Sequence, residues 1–214
     1  PGEAAALVER LLPHLAAQAT KPLYVDANAL NPTTKQALAQ RLATAGVTMV
    51  DSAIIGPPPT QQSHATIFHL SGPAAPRATV LDVPGIKAEV LDGGIGAASA
   101  LKMCFGGINK GIAGLASTLL LAAERHGAAD ALRAEMQRSM PDLFTRFGRQ
   151  IPDMFPKAYR WVAEMEEIAA FLGKDDPAGA QLYTGMAGAF ARIAADRAGE
   201  QTAIAALERA IRHD

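Results

Sequence analysis

The sequence predicts an α/β domain followed by an all-α domain, with the boundary near residue 92. Three observations lead there. Residues 1–92 alternate β-rich runs with amphipathic helical stretches, the pattern of a sheet with helices on its faces. Period-two alternation stops after Leu91. A glycine turn, Gly93-Gly94-Ile95-Gly96, then opens a helical stretch that continues to His126 and ends at Gly127.

Each element has its own signal. Glu3 to Gln18 reads as an amphipathic helix, and Leu23-Tyr24-Val25-Asp26 as a short buried strand. Asn31-Pro32-Thr33 is a helix start with Pro32 near the first helical position. The helix Thr34 to Ala45 stops at Gly46, a C-terminal cap signal. Val47 to Val50 is the next strand, and Thr66 to Leu70 the third. Ser71-Gly72-Pro73 opens a short helix, and Ile86 to Leu91 forms a fourth strand. Ala97 to His126 would be a helix about 45 Å long at 1.5 Å per residue. Further helices are expected at Ala129–Ser139, Pro141–Gly148, Lys157–Leu172, Ala178–Ala198 and Gln201–Arg212.

Composition narrows the function classes. Twenty basic against 21 acidic residues leave a net charge of -1, which gives no electrostatic case for nucleic acid or an anionic membrane as partner. The single cysteine, Cys104, excludes an intrachain disulfide and fits a reducing compartment, the cytoplasm by default. Its apolar setting reads as an inert buried thiol. Apolar runs are broken by glycine or charge before about 20 residues, which argues against a membrane span. His14, His64, His69, His126 and His213 are dispersed without ligand spacing, so no metal site is expected. His69, near a strand end, reads as a structural histidine, with a place in a cleft as the alternative. No G-x-S-x-G supports hydrolase chemistry. Arg160 and Glu164 form an i, i+4 pair that stabilises its own helix.

The chemistry concentrates in Leu91 to Gly111, where Lys102 lies between Ala100, Leu101, Met103 and Cys104. Burying a lysine disfavours its charged form and moves its pKa toward working pH, which suits proton transfer. A snorkelling lysine at a domain edge is the competing reading. Ser99, Lys102, Gly106 and Asn109 fall at i, i+3, i+7 and i+10, one face of a helix. That face offers a hydroxyl, an ammonium, a gap and an amide to a small polar ligand. Gly107, Gly111 and Gly114 form a second stripe, read first as tight helix packing and second as a ligand surface.

Taken together, these segments resemble the 6-phosphogluconate dehydrogenase and β-hydroxyacid (3-hydroxyisobutyrate) dehydrogenase superfamily, and within it the bacterial phosphogluconate-dehydrogenase-like proteins with their own helical C-terminal domain. Asp26-Ala27-Asn28-Ala29-Leu30-Asn31-Pro32 is similar to the family segment D-x-[SN]-[ST]-x-x-P, which approaches nicotinamide and substrate. Val50 to Gly56 resembles the next strand and substrate loop, and Ser71-Gly72-Pro73 the turn into a short helix. Gly94 and Gly96 ahead of Lys102 resemble the glycine pair before the catalytic lysine. Arg160 with Glu164-Met165-Glu166-Glu167-Ile168 resembles a helix motif of the C-terminal subgroup. The departures bear on substrate. The asparagine four residues after the lysine is Gly106, the substrate-loop serine is Ile55, and the acidic residue of the phosphogluconate enzymes is Asn109. 6-Phosphogluconate itself is therefore disfavoured.

The resemblance implies the C-terminal part of a Rossmann-like domain, residues 1–92, followed by a helical dimerisation domain, residues 93–214. It implies an NAD- or NADP-dependent oxidoreductase acting on a small hydroxy-carboxylate. Lys102 would be the catalytic acid–base; Asn28, Ser99, Gly106 and Asn109 would contact substrate, and Asn28 and Ala29 the nicotinamide. The expected partners are a small-molecule substrate and a second copy of the chain, with no nucleic acid and no membrane. No G-x-G-x-x-G follows a strand, so the dinucleotide fingerprint has no counterpart. The first βαβ units are expected to precede Pro1, and this chain alone is not expected to hold the cofactor or to turn over. A non-catalytic interaction module, with Lys102 a relic, is the alternative.

Overall fold

A computed structural model describes residues 3–60, 66–173 and 175–212; His64, His213 and the starting Pro1 lie outside the described residues. Residues form two compact units, Pro1–Phe105 and Gly106–Asp214, so the division falls inside the long helix rather than at residue 92. Helices α1 (Ala4–Ala17) and α2 (Pro32–Ala43) alternate in the first unit with strands β1 (Leu23–Asp26), β2 (Thr48–Ile55), β3 (Thr66–Ser71) and β4 (Ile86–Val90). Asn31 caps α2 by accepting the Thr34 N–H at 2.9 Å, with Pro32 in the first turn, as the sequence predicts.

The four strands lie in the order β1-β2-β3-β4. β1 and β3 run parallel to β2 and β4 respectively, while β2 and β3 are antiparallel. The sheet is therefore mixed. Alternation along β2 sends Met49 and Val50 to opposite faces. Met49 joins Val8, Leu12, Leu38, Leu42 and Val47 under α1 and α2. Val50 joins Leu70, Ala75 and Ala78, the last two from a 3-10 turn over Ala75–Leu81. β2 runs on to Ile55, five residues past its predicted end, because Asp51 to Ile55 pair with Ser71 to Ile67 of β3. The segment expected to be a substrate loop is thus partly a ladder strand.

Helix α3 (Ala97–Arg125) begins in the first unit and continues into the second, which adds α4 (Ala129–Ser139), α5 (Pro141–Met154), α6 (Ala158–Leu172), α7 (Pro177–Ala198) and α8 (Thr202–Ala210). α5 passes through Gly148, its predicted end, because Phe144, Phe147, Ile151 and Met154 form one buried stripe at helical spacing. Burying such a stripe outweighs the roughly 1 kcal/mol cost of one helical glycine. Trp161 of α6 meets Phe190 of α7 edge-on, centroids 5.2 Å apart. The second glycine stripe is a packing surface. A Cβ at Gly107 would come within 2.8 Å of the Tyr183 hydroxyl oxygen, and one at Gly114 would overlap the Met186 sulfur.

One described helix, α3, is long and apolar enough to cross a membrane by length and composition, with mean hydropathy 1.3. The sequence expectation that charge and glycine would break every such run is corrected on that measure. A third of that stretch is buried inside the protein. Ala113, Ala116 and Leu120 are buried, and Ser99, Asn109 and Lys110 bond to groups of their own units.

Candidate active site

Lys102 projects from the second turn of α3 and is half-buried. Burial, and secondarily the positive charge of Lys35, hold its ammonium below the ordinary lysine range. That is the direction a proton-transferring lysine needs. What fixes this helix start is a group that the sequence offers only as part of a strand and substrate-loop segment. Asp51 of β2 is fully buried, and its Oδ2 accepts the N–H groups of Gly96 and Ser99, both at 3.0 Å. The Ser71 hydroxyl donates to the same oxygen at 3.3 Å and accepts the Ala98 N–H at 3.0 Å. The Ala97 N–H reaches the Gly94 carbonyl at 3.1 Å. The opening N–H groups of α3 are thus satisfied from the sheet, turn and Ser71. A residue at Gly96 must adopt φ +105°, with any Cβ 3.0 Å from Pro32; this position requires glycine.

Asp51 also faces Lys35, whose Nζ lies 3.2 Å from Asp51 Oδ1 and 2.6 Å from Asp26 Oδ1. Lys35 donates to the Asp26 carbonyl too, at 2.7 Å. All three side chains are at most 1 % exposed. Asp26 in turn holds Asn28: the Asn28 N–H donates to Asp26 Oδ1 at 3.0 Å and its Nδ2 to Oδ2 at 3.1 Å. Neither bond uses the Asn28 amide oxygen. Ala29 beside it is exposed. Lys35 escaped the sequence reading, although Lys35, Leu38 and Leu42 share the i, i+3, i+7 spacing of the buried face of α2.

Two of the predicted ligand contacts have other tasks. The Ser99 hydroxyl is buried and donates to Asp51 Oδ1 at 2.7 Å, so it seats the helix. Asn109 belongs to the second unit, where its Oδ1 accepts from Arg146 at 2.6 Å and from Gln150 at 3.3 Å. Spacing placed both on the helix face of Lys102, but neighbours from other elements take up their polar atoms. Gly106 remains a gap, with only the Lys110 Nζ 4.0 Å from a Cβ built there. Cys104 is exposed rather than buried. Among the described residues no three His, Cys, Asp or Glu side chains gather as a metal site. His69 stands across from Glu89 in the β3–β4 ladder, and burial lowers its pKa. Glu164 pairs with Lys110 of α3 rather than with Arg160.

The second unit holds a separate cavity of about 330 Å³, lined by Gly114, Ser117, Leu121, Phe190 and Ile193 among others. Of the residues singled out in the sequence, Gly114 of the glycine stripe lines it, while Asn28, Ser99, Lys102, Gly106 and Asn109 do not.

Residues 123–193 match a family model described as a domain of unknown function, DUF1932. No curated protein matches the chain. Among solved structures, a conserved protein from Sinorhizobium meliloti superimposes with TM-score 0.78 at 22% identity, over 96% of this chain and 72% of that one. The conserved protein MTH1747, described as structurally similar to 3-hydroxyacid dehydrogenases, gives 0.74 at 24%, over 92% and 73%. The 3-hydroxyisobutyrate dehydrogenase of Mycobacterium tuberculosis, solved with L-serine, gives 0.64 at 18%, over 90% and 72%. In these chains, as here, a Rossmann-like part precedes a helical domain. The chain shares the fold of these structures.

Proposed function

We propose that this protein serves an NAD(P)-dependent oxidoreductase reaction of the β-hydroxyacid dehydrogenase type, on a small hydroxy-carboxylate. One observation carries the reading: in a chain with this fold, a half-buried lysine held below its ordinary pKa stands on a helix start locked to the sheet. In the oxidative direction neutral Lys102 would take the hydroxyl proton of the substrate, and in reverse its ammonium would return it. Asn28, with its amide oxygen uncommitted to Asp26, would orient substrate or the nicotinamide carboxamide beside Ala29. Gly106 leaves room on the helix. Ser99 acts by holding the helix and Asn109 by joining α3 to α5.

The nicotinamide cofactor, when bound, accepts or supplies the hydride. Asn28 and Ala29 would meet its nicotinamide end. The glycine turn before α3 is no phosphate cradle, because its Gly96 N–H and the helix start already face the Asp51 carboxylate. Substrate, cofactor preference and a cytoplasmic setting, the last suggested by a single exposed cysteine, belong to this proposal.

A second copy of the chain is the proposed partner. Ile108, Leu115 and Leu119 are each more than half exposed and fall at i, i+7 and i+11 on α3. Large exposed apolar side chains in a row mark an interaction surface. The same stripe favours the alternative, a helical module that only pairs chains. Turnover separates the two. With the full gene product, NAD(P) and short 3-hydroxy acids, nicotinamide absorbance should change, and Lys102→Met should lose about 10²–10⁴-fold while remaining folded. A folded variant with undiminished turnover would remove Lys102 from the chemistry.

A further inference from the structure

The buried ion cluster of the first unit has a connectivity that a simple core salt bridge does not require. Asn28 is held by both carboxylate oxygens of Asp26. Asp26 is bound by Lys35 through its side chain and its carbonyl. Lys35 continues to Asp51, and Asp51 grips the α3 start through Gly96 and through both the N–H and the hydroxyl of Ser99. Ser99 lies one turn before Lys102. An unbroken chain of short polar contacts therefore runs from the Asn28 loop after β1 to the helix that carries Lys102. Its middle member comes from α2, which also reaches the turn before α3 through Gln36, whose Nε2 donates to the Ile95 carbonyl at 3.2 Å.

Two aspartates on adjacent parallel strands, paired in register, would repel each other without a cation between them. β1 and β2 are also joined by their backbone ladder and by the apolar cluster under α1 and α2, so the ion cluster is not the sheet's sole support. What it adds is direction, since each carboxylate has its hydrogen-bond geometry fixed by several donors at once. We propose that Lys35 is a positioning residue for the Lys102 site, its buried ammonium tying the loop that carries Asn28 to the helix start that carries Lys102. The proposal rests on the reading of Lys102 as the proton carrier and adds a third residue to it, one that touches neither substrate nor cofactor.

The charged surroundings make this measurable. Lys35 of α2 acts on Lys102 and helps to keep it below the ordinary lysine range. Asp26 of β1 and Asp51 of β2 face Lys35 from the other side. On α3 the next charged side chain is Lys110, two turns on and paired with Glu164. Replacing the near cation should let Lys102 hold its proton to higher pH.

The test is the pH dependence of amine acylation of Lys102, read peptide by peptide by mass spectrometry on the full chain, with Lys157 as an exposed control. No substrate or cofactor is needed, so a failure here is distinct from a failure to find turnover. Lys35→Met leaves two buried carboxylates and can compromise folding; Asp26→Asn with Lys35→Met keeps the net charge of the three side chains and is the deciding variant. In that folded variant the Lys102 midpoint should move upward, with labelling at mildly alkaline pH falling severalfold, while Lys157 stays unchanged. Hydrogen exchange at the Ser99 amide, whose acceptor Asp51 is unaltered, should rise at least tenfold and beyond that of Asp26→Asn alone, and Lys35→Arg should restore part of both effects. A folded double variant with an unmoved Lys102 midpoint and unchanged exchange at Ser99 would overturn the proposal. So would wild-type protein in which Lys102 acylates with the pH dependence of Lys157. Where that variant does not fold, Asp26→Asn with Lys35→Gln takes its place and is read in the same way.

Discussion

Replacing Asp51 by alanine tests whether the sheet anchors the functional helix. The substitution removes the acceptor of the Gly96 and Ser99 N–H groups and of the Ser71 and Ser99 hydroxyls. Loss of a helix N-cap alone costs about 0.5–2 kcal/mol. Breaking a buried ion pair by removing one partner costs about 3–5 kcal/mol. Lys35 keeps Asp26 at 2.6 Å, which moves the second figure to its lower end, and the two figures share one carboxylate and do not simply add. The expected loss is therefore about 3–4 kcal/mol. Asp51→Asn should recover little of it, because an amide that accepts from the helix N–H pair turns its own NH₂ toward Lys35 or the Ser99 hydroxyl. Urea unfolding followed by far-ultraviolet circular dichroism gives the stability. Exchange at the Gly96, Ala98 and Ser99 amides locates it, with roughly hundredfold acceleration for a local loss near 3 kcal/mol. Asp51→Ala within about 0.5 kcal/mol of wild type, the usual range of an unremarkable surface change, would refute the anchoring argument.

Other expectations use different parts of the molecule. Gly106→Ala should stabilise α3 by up to about 1 kcal/mol, since the new Cβ approaches nothing closer than 4.0 Å. Gly114→Ala should lose about 1–3 kcal/mol through overpacking against Met186 and Phe190; thermal melts of the pair decide, and equal effects would contradict the packing assigned to α7. A proton carrier held below its ordinary pKa opposes folding while it remains charged. Between its folded and unfolded pKa values the unfolded chain binds more protons, so this contribution to stability rises with pH. Lys102→Met should accordingly melt no lower than wild type at neutral pH, and a clear loss of stability would assign Lys102 a structural role. Leu115→Glu, placed in the exposed stripe of α3, should turn a light-scattering dimer into a monomer; a monomeric wild type at micromolar concentration would dispose of the pairing proposal.

What could be read from the sequence was whatever repeats along it. Alternation placed all four strands, Asn31-Pro32 placed the start of α2, and Gly93 to Gly96 placed the start of α3, because each is a local backbone requirement. Pairing was not local. Nothing in Ser52-Ala53-Ile54-Ile55 announces that β3 lies antiparallel beside it, so β2 was read too short and the sheet as a simple α/β alternation. The same limit divides the candidate site. Lys102 stands out because its own neighbours are apolar, and Asn28 because its segment resembles a family motif. Ser99 and Asn109 share the helix face of Lys102 by spacing, yet spacing cannot tell that Asp51 takes the hydroxyl of one and Arg146 the amide of the other. The partner of a polar side chain comes from another element, and only the folded chain supplies it. Lys35 is the instructive intermediate case. Its position on the Leu38 and Leu42 face of α2 is readable, and a buried lysine demands paired carboxylates. Asp26 and Asp51, each ending its run of strand hydrophobics, were the buried acids within reach. A helix face with one cation among its leucines, opposite two runs of strand hydrophobics each followed by aspartate, is thus a sequence-level sign of an ionic knot beneath the sheet edge, and it can be sought by counting charges on apolar faces before any coordinates exist.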